Sequence, residues 1–228
     1  MTYTYPDIAK MIDHSLLNPA MTDKELVNGC TLALEYDVAT VCIKPYFINQ
    51  AAELLSNSTV KPTTTIGFPH GGHSTAIKVF EAERALNNGA LELDVVINIG
   101  KSLSGDWEFV RHDIKEVTQI CHHHNALIKV IFENCYLKDE HKIKLCELCG
   151  ELEVDFVKTS TGYGSGGATI EDLKLMRKYS PPNVQVKAAG GIRTLDQLLE
   201  VRALGVTRVG ATRTKEILDE CKQRLISL

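Results

Sequence analysis

The segments DFVKTSTG (Asp155 to Gly162) and VQVKAAGG (Val184 to Gly191) each place a lysine at the end of a short apolar run, immediately before small residues. Such runs are typical of short strands buried in a parallel sheet. A lysine is costly to remove from water, so two lysines in matching contexts indicate a site that uses an amine with a shifted pKa. Amine chemistry is therefore the leading hypothesis for function.

Lys158 and Lys187 are 29 residues apart, which is about the length of one strand, helix and return strand. The spacing predicts that the two lysines lie on neighbouring parallel strands, each on the more polar face. For either lysine alone, a buried ion pair or an amine that reaches the surface from a strand end explains the pattern equally well. The repeated context favours a functional site.

The composition limits the classes of function. With 228 residues and 44% hydrophobic content, the chain can form one large α/β domain or two small ones. The net charge of -4 comes without a long charged run, so we expect a small-molecule ligand and neither nucleic acid nor a membrane. The absence of a signal peptide pattern and seven irregularly spaced cysteines lead us to expect a cytoplasmic protein with reduced thiols.

Strand-like and helix-like segments alternate along the chain. The strand-like runs are Met11 to Asp13, Thr40 to Lys44, Thr63 to Gly67, Leu91 to Asn98, Leu127 to Glu133, Asp155 to Thr159, Val184 to Ala188 and Thr207 to Gly210. Helical periodicity is clear in Thr22 to Tyr36, Thr75 to Leu86, Asp106 to Cys121, Ile170 to Lys178 and Leu195 to Leu204. Eight strand–helix repeats predict a closed (β/α)8 TIM barrel in the α/β class.

Residues at the expected helix ends agree with this prediction. N-caps are expected at Thr22, Ser74, Thr169 and Thr194, and helix stops at Gly89 and Gly205. No Pro-, Gly- or Ser-rich linker divides the chain, so residues 1–228 are expected to form a single domain.

In a (β/α)8 barrel the chemistry lies at the carboxyl ends of the strands. Charged residues that fall on or just after the predicted strands are Asp13, Lys44, Asp94, Lys129, Glu133, Lys158 and Lys187. Strands otherwise favour apolar side chains. The sequence therefore predicts a polar pocket at this end of the barrel.

A nucleophilic lysine must be unprotonated, yet free lysine has a pKa of about 10.4 and is less than about 1% neutral at pH 7. Burial and a neighbouring cation both favour the neutral amine, and Lys187 beside Lys158 would supply the cation. The resulting Schiff base allows carbon–carbon cleavage or proton removal, with Asp94 as the acid–base group. The alternative for Asp94 is a salt bridge to Lys129 or Lys158.

Glycine-rich segments follow the last three predicted strands. They are TGYGSGG (Thr161 to Gly167), AGG (Ala189 to Gly191) and GATRT (Gly210 to Thr214). Backbone amides at such positions, close to helix N-termini, bind phosphate, and Arg193 or Arg213 would add positive charge. A phosphorylated substrate is therefore expected.

Eight segments in order along nearly the whole chain resemble the deoxyribose-phosphate aldolase family, whose members are class I aldolases with a (β/α)8 barrel. They are IDHSLLNP (Ile12 to Pro19), VCIKPYFI (Val41 to Ile48), IGFPHG (Ile66 to Gly71), KVFEAERAL (Lys78 to Leu86), ELDVVINIG (Glu92 to Gly100), LIKVIFE (Leu127 to Glu133), DFVKTSTG and VKAAGGIRT (Val186 to Thr194). Together these motifs are highly specific.

The resemblance implies reversible cleavage of 2-deoxy-D-ribose 5-phosphate to acetaldehyde and D-glyceraldehyde 3-phosphate, without a metal or organic cofactor. It implies that Lys158 forms the Schiff base, that Lys187 lowers the pKa of Lys158, and that Asp94 transfers protons through a water molecule. It also implies a homo-oligomer, with a dimer favoured. The expected substrate-binding residues are Asp13, Cys42, Lys129, Thr159, Gly162, Gly190, Gly191, Arg193, Gly210, Thr212 and Arg213.

Three positions depart from the family pattern. Many members carry paired small hydroxyl residues where this chain has Thr212 and Arg213, so phosphate binding is expected to differ. Some members end in a tyrosine that reaches the active site, whereas this chain ends in RLISL. Asn134 stands where a threonine is common.

Other readings have weaker support. Cys146 and Cys149 form a CxxC pair and His122 to His124 form a histidine cluster, but no second CxxC completes a zinc site, so no metal is expected. Cys42 is expected to be an inert core thiol in preference to a reactive one. The competing functions are a related Schiff-base aldolase with another phosphorylated substrate and a non-catalytic sugar-phosphate binding protein.

Overall fold

A computed structural model describes residues 3–226 and forms a closed barrel of eight parallel strands that pair in chain order. The strands are β1 (Ile12–Leu16), β2 (Thr40–Ile43), β3 (Lys61–Ile66), β4 (Glu92–Val96), β5 (Leu127–Ile131), β6 (Phe156–Lys158), β7 (Gln185–Ala189) and β8 (Arg208–Ala211). All eight predicted strands are present, and the predicted (β/α)8 barrel is confirmed.

Ten α-helices surround or cover the barrel within the described residues. They are α1 (Tyr5–Ala9), α2 (Asp23–Glu35), α3 (Ile48–Leu55), α4 (Thr75–Asn87), α5 (Ile99–Leu103), α6 (Trp107–His123), α7 (Asp139–Glu151), α8 (Ile170–Tyr179), α9 (Leu195–Ala203) and α10 (Thr214–Ile226). The five helices predicted by periodicity are α2, α4, α6, α8 and α9, with every end within two residues of its expected position.

The observed strand ends differ from the predicted ones by at most three residues, and two of these differences have identifiable reasons. β1 continues to Leu16 because it stays paired with β2 as far as Ile43. β5 ends at Ile131, before the predicted Glu133, because Glu133 adopts a left-handed backbone conformation with φ 57° and leaves the sheet.

Three of the four predicted N-caps form side-chain hydrogen bonds. Thr22, Thr169 and Thr194 accept from backbone amides in the first turns of α2, α8 and α9. Ser74 also occupies the N-cap position of α4 in an extended conformation, as predicted, but its hydroxyl makes no capping bond.

The barrel wall separates two environments. Alternate strand residues such as Val41, Leu93, Ile128 and Val186 are fully buried within the apolar core that the helices also line. The opposite face of each strand points into the barrel, and there the side chains are largely polar or charged. The fold thus concentrates charge along the barrel axis, where the site lies.

Within residues 3–226, no helix is both long and apolar enough to cross a membrane.

Candidate active site

Lys158 and Lys187 are direct partners in the pairing of β6 with β7, so both side chains enter the barrel at the same level. Both are buried, with 3% and 1% of their surface exposed. The period-two pattern of the two strands places both lysines on the inner face because the outer face is filled by Val157 and Val186. The neighbouring positions inferred from the sequence are present in the structure.

Asp94 on β4 joins three lysines at the centre of the barrel. Its Oδ1 lies 2.8 Å from Nζ of Lys129, and its Oδ2 lies 2.7 Å from Nζ of both Lys158 and Lys187. The carboxylate is fully buried. Asp94 therefore makes the salt bridges that the sequence left as an alternative role, and the same bonds place it directly against the two active-site amines.

Asp13 on β1 is a second carboxylate in contact with Lys187. The Lys187 amine donates a hydrogen bond to Oδ2 of Asp13, and the guanidinium of Arg208 donates to Oδ1 at 2.6 Å. Lys129 lies 3.6 Å from Oδ2 of the same carboxylate. Lys187 thus has two anionic partners, Asp13 and Asp94.

Glu92 and Arg208 extend this network toward the amino ends of the strands. Glu92 lies 2.6 Å from Nζ of Lys129 and 3.2 Å from the Arg208 guanidinium. Sequence reasoning assigned no role to either Arg208 or Glu92. The available signal was register, because Arg208 pairs with Lys187 and so faces the same interior.

The lysines of this network differ in their pKa. Burial lowers the pKa of Lys158; Asp94 opposes the shift, the charge of Lys187 adds to it, and the net pKa lies below the ordinary value. Burial also acts to lower the pKa of Lys187, but Asp13 and Asp94 outweigh it and raise the value. For Lys129, Asp94, Glu92 and Asp13 likewise overcome burial and raise the pKa. Lys158 is thus the lysine that this network makes easiest to deprotonate.

The two aspartates keep their charge although they are buried. Burial alone would raise the pKa of Asp94, yet the charges of Lys129, Lys158 and Lys187 hold it well below the usual range. Arg208, Lys187 and Lys129 hold the pKa of Asp13 below normal in the same way. Both carboxylates are therefore ionised at neutral pH and surround the amines with negative charge.

A cavity of about 630 Å³ opens above the two lysines at the carboxyl ends of the strands. It is lined by Asp13, Ser15, Leu16, Leu17, Asn18, Pro19, Met21, Glu25, Cys42, Lys158, Thr161, Gly162, Tyr163, Lys187, Ala189, Gly190, Gly191, Ile192, Arg193, Gly210 and Thr212. Its volume suits a small ligand. The structure therefore brings most of the sequence-predicted site residues to one space.

Four of the predicted catalytic and substrate-binding residues do not line this cavity, and neither do Lys44 and Glu133, which were expected in the polar pocket. Lys129 and Asp94 are buried among the charged groups described above. Thr159 joins β6 to β7, since its hydroxyl donates to the carbonyl of Ala189 and accepts from the Ala189 amide, both at 3.1 Å. Arg213 lies at the surface with its guanidinium 3.0 Å from Glu216.

The glycines of two loops allow the β6–α8 and β7–α9 connections to pack together. Gly190 has φ 79°, and a Cβ on Gly167 would lie 2.3 Å from the Gly190 carbonyl oxygen. The Ala168 amide donates to the carbonyls of both Ala189 and Gly190 at 3.0 Å. This close approach presents the backbone of Gly190 and Gly191 to the cavity beside Arg193.

Two further contacts form the upper wall, and sequence reasoning missed both. The Tyr163 hydroxyl donates to the carbonyl of Leu17 at 2.6 Å, which links the loop after β6 to the loop after β1. Glu133 accepts hydrogen bonds from both the amide and the hydroxyl of Thr161. Neither pairing has a local sequence signal, because the partners are 146 and 28 residues apart.

The cysteines and histidines form no alternative site. Cys42 faces the cavity, but burial is the main factor that raises its thiol pKa to about 11, so the thiol is neutral at pH 7. Cys146 and Cys149 are buried in α7, and His122 lies 3.0 Å from Asp155. Among residues 3–226, no group of three or more His, Cys, Asp or Glu side chains is arranged to hold a metal ion.

The side chain of Asn134, which stands where a threonine is common in the family, lies 3.3 Å from the sulfur of Met176.

Comparison with known proteins agrees with this geometry. Residues 8–211, which include all eight strands, match the DeoC/LacD family of aldolases. The chain belongs to the DeoC/LacD aldolase family. The resemblance to aldolases inferred from the sequence motifs is thereby confirmed.

Relatives of this DeoC/LacD aldolase share nearly its full length. The deoxyribose-phosphate aldolase of Rhodopirellula baltica is 60% identical over 98% of this chain and 92% of its own, and that of Thermococcus gammatolerans is 49% identical over 93% and 96%. A solved structure described as the tetrameric deoxyribose phosphate aldolase of Aeropyrum pernix superposes with a TM-score of 0.89 at 28% identity, over 97% of this chain and 93% of that one.

Proposed function

We propose that this protein is a class I aldolase that reversibly cleaves 2-deoxy-D-ribose 5-phosphate to acetaldehyde and D-glyceraldehyde 3-phosphate. Family membership supports aldolase chemistry, and the two curated relatives named above carry this activity in their names. The observation that carries the proposal is the position of Lys158. It lines the cavity beside Lys187, and its pKa is lowered whereas those of Lys129 and Lys187 are raised.

The reaction begins when the neutral Lys158 amine attacks the C1 aldehyde carbon of the open-chain sugar. Loss of water gives a protonated Schiff base, whose positive nitrogen accepts the electrons of the C2–C3 bond as that bond breaks. The C3 hydroxyl loses its proton and D-glyceraldehyde 3-phosphate leaves. Protonation of the enamine at C2 and hydrolysis then release acetaldehyde and restore the amine.

We assign proton transfer to Asp94, acting through a water molecule. Its Oδ2 already lies within hydrogen-bond distance of Lys158, so charge is held where the Schiff base forms. Lys187 remains a cation between Asp13 and Asp94 and favours the neutral form of Lys158. Asp13 and Cys42 line the cavity beside the two lysines, and Lys129 is buried next to Asp94. None of these three residues is assigned a chemical step.

The phosphate end of the substrate is assigned to the glycine-rich side of the cavity. Gly162, Gly190, Gly191, Gly210 and Thr212 line this side, and the Arg193 side chain adds the positive charge. Thr159 supports this wall by holding β6 against β7. Arg213, which was expected to share the role of Arg193, is directed to Glu216 instead and is assigned no phosphate contact.

Two experiments test the proposal together. Release of D-glyceraldehyde 3-phosphate from 2-deoxy-D-ribose 5-phosphate is followed with a coupled assay, and borohydride with acetaldehyde is expected to leave an ethyl group on Lys158. Lys158→Ala should lose both the adduct and the activity. Adduct formation without cleavage of this sugar would support a related aldolase with another substrate, and the absence of both from the wild-type protein would support a non-catalytic binding protein.

Assembly, location and domain organisation are further proposals. We propose one domain that forms a homodimer in the cytoplasm and uses neither a metal nor an organic cofactor. The Aeropyrum pernix relative is described as a tetramer, so the mass of the particle in solution is the direct test. Light scattering after size-exclusion chromatography distinguishes a dimer from a tetramer without any assumption about shape.

A further inference from the structure

The barrel interior contains an unequal number of positive and negative side chains. The interior ion network, as we define it, consists of the cations Lys129, Lys158, Lys187 and Arg208 and the carboxylates Asp13, Glu92 and Asp94. If every member is ionised, one positive charge is left without a partner among side chains that are almost completely buried. A buried, unbalanced charge is unfavourable, so the network is most stable when one cation gives up its proton.

The side chains beside the network in the strand register carry no charge. Three other charged residues lie near it: Glu25 and Arg193 line the cavity, have opposite charges and are exposed, whereas Glu133 is buried, accepts hydrogen bonds from Thr161 and forms no ion pair with a network member among the described residues. In the strand register Thr40 lies beside Asp13, Thr63 beside Glu92, and Phe156 beside Lys129. Cys42 also faces Lys158, from β2, and is neutral at pH 7 because burial raises its pKa. Lys61, which begins β3 on this face, is exposed and therefore screened by water.

Four members of the network do not line the cavity: Arg208, Glu92, Lys129 and Asp94. Arg208 is held by both Asp13 and Glu92, its guanidinium stacks 5.3 Å from the centre of the Phe156 ring, and only 12% of its side chain is exposed. Unlike Asp94, neither Arg208 nor Glu92 has a direct contact with Lys158 among the hydrogen bonds of the described residues. The contacts that connect this pair to Lys158 run through Asp13, Lys129 and Lys187 and end at Asp94.

We propose that Arg208 and Glu92 are positioning residues that act through Asp13 and Lys129 to set the charge balance of the barrel and keep Lys158 an uncharged nucleophile. The proposal deepens the proposed function, on which it rests, by assigning the activation of Lys158 to the whole network and not to Lys187 alone. Arg208 is the permanent cation of the network, since guanidinium does not deprotonate. The proton must therefore leave from a lysine.

The proposal makes opposite predictions for the two residues. Arg208→Met leaves three cations and three carboxylates, so Lys158 can keep its proton and the acidic limb of the activity profile should move to higher pH. Glu92→Gln leaves four cations and two carboxylates, so the limb should move to lower pH. Arg208→Lys keeps the charge and should leave the limb close to its wild-type position.

The test measures the protonation of Lys158 with and without turnover. The pH dependence of kcat/KM is recorded for wild type and the three variants, and trace labelling with acetic anhydride is quantified at Lys158 by peptide mass at each pH. Labelling needs no substrate, so it reports on the amine even if the proposed function fails. A rise of one pKa unit in Arg208→Met corresponds to about a tenfold loss of kcat/KM at neutral pH, regained at higher pH.

Opposite shifts in Arg208→Met and Glu92→Gln, seen in the labelling profile, support the proposal. Shifts in the same direction, or unchanged profiles in folded variants, overturn it and leave the pair with a purely structural role. Circular dichroism establishes folding. If Arg208→Met does not fold, the nearly isosteric Glu92→Gln and the charge-conserving Arg208→Lys still decide the question, because only Glu92→Gln should shift the profile.

Discussion

Lys158 and Lys187 are paired residues on adjacent strands, and their amines share a single oxygen, Oδ2 of Asp94, at 2.7 Å each. The two amines nevertheless have opposite pKa shifts, because burial of Lys158 is opposed mainly by Asp94 alone, whereas Lys187 also has Asp13 as a partner. One carboxylate thus contacts both the lysine whose pKa is lowered and the lysine whose pKa is raised. This asymmetry leads to the first two predictions.

Lys187→Met should raise the pKa of Lys158, since the neighbouring positive charge that lowers it is removed. Activity should then fall at neutral pH, about tenfold for each unit by which the acidic limb moves upward, and recover as the pH rises through the new value. The pH profile of kcat/KM checks this. Lys187→Arg retains the charge and is the matched control, and a limb that stays in place in Lys187→Met would contradict the tuning role.

Asp94→Asn should lower kcat/KM by about 100-fold or more, because the amide cannot accept a proton. The variant should lose less of its adduct formation between Lys158 and acetaldehyde than of its cleavage activity, because the amine remains in the cavity. Single-turnover cleavage and borohydride trapping, measured on the same preparation, separate the two steps. Equal losses in both would place Asp94 in the positioning of Lys158 and not in proton transfer.

Arg193→Ala should raise KM for 2-deoxy-D-ribose 5-phosphate by about tenfold, a typical loss for a hydrogen bond to a charged group. Arg213→Ala should change KM little, because Arg213 is exposed and bonded to Glu216. Initial rates with the phosphorylated and unphosphorylated sugars provide the comparison. An Arg193 effect that is the same for both sugars would argue against a phosphate contact.

Tyr163→Phe removes the hydrogen bond from the tyrosine hydroxyl to the Leu17 carbonyl and leaves the ring, which packs edge-on against Phe68 at 5.5 Å. We expect KM to rise severalfold, because the loops after β1 and β6 lose their link above the cavity. Tyr163→Leu also removes the ring contact, so KM should rise further in this variant. An unchanged KM in Tyr163→Phe would show that the link does not shape the cavity.

Cys135 should be the first cysteine alkylated in the native protein. It is the exposed cysteine, whereas the other six are buried. The pKa of the Cys42 thiol, at about 11, leaves almost no thiolate at neutral pH. Iodoacetamide labelling followed by peptide mass is expected to find one modified site, and Cys135→Ser should remove it. Rapid labelling of Cys42 would show that the cavity thiol is reactive after all.

The sequence by itself determined the barrel, the five periodic helices and the position of the two lysines on neighbouring strands. Each of these follows from short-range rules: period two in a strand, period 3.6 in a helix, and polar residues at strand ends. The family motifs in DFVKTSTG and VKAAGGIRT then led to the aldolase assignment, which the family match confirmed. All of this information lies within a few residues along the chain.

Only the tertiary structure decided how the charges are shared. Arg208 meets Asp13 across 195 residues and Glu92 across 116, and Arg213, next to a glycine-rich segment, turns away to Glu216. Tyr163 and Leu17 meet because barrel closure brings the first strand near the later ones. Ion pairing depends on distances between side chains, and these distances are set by closure and register, so no local pattern specifies which carboxylates each lysine contacts.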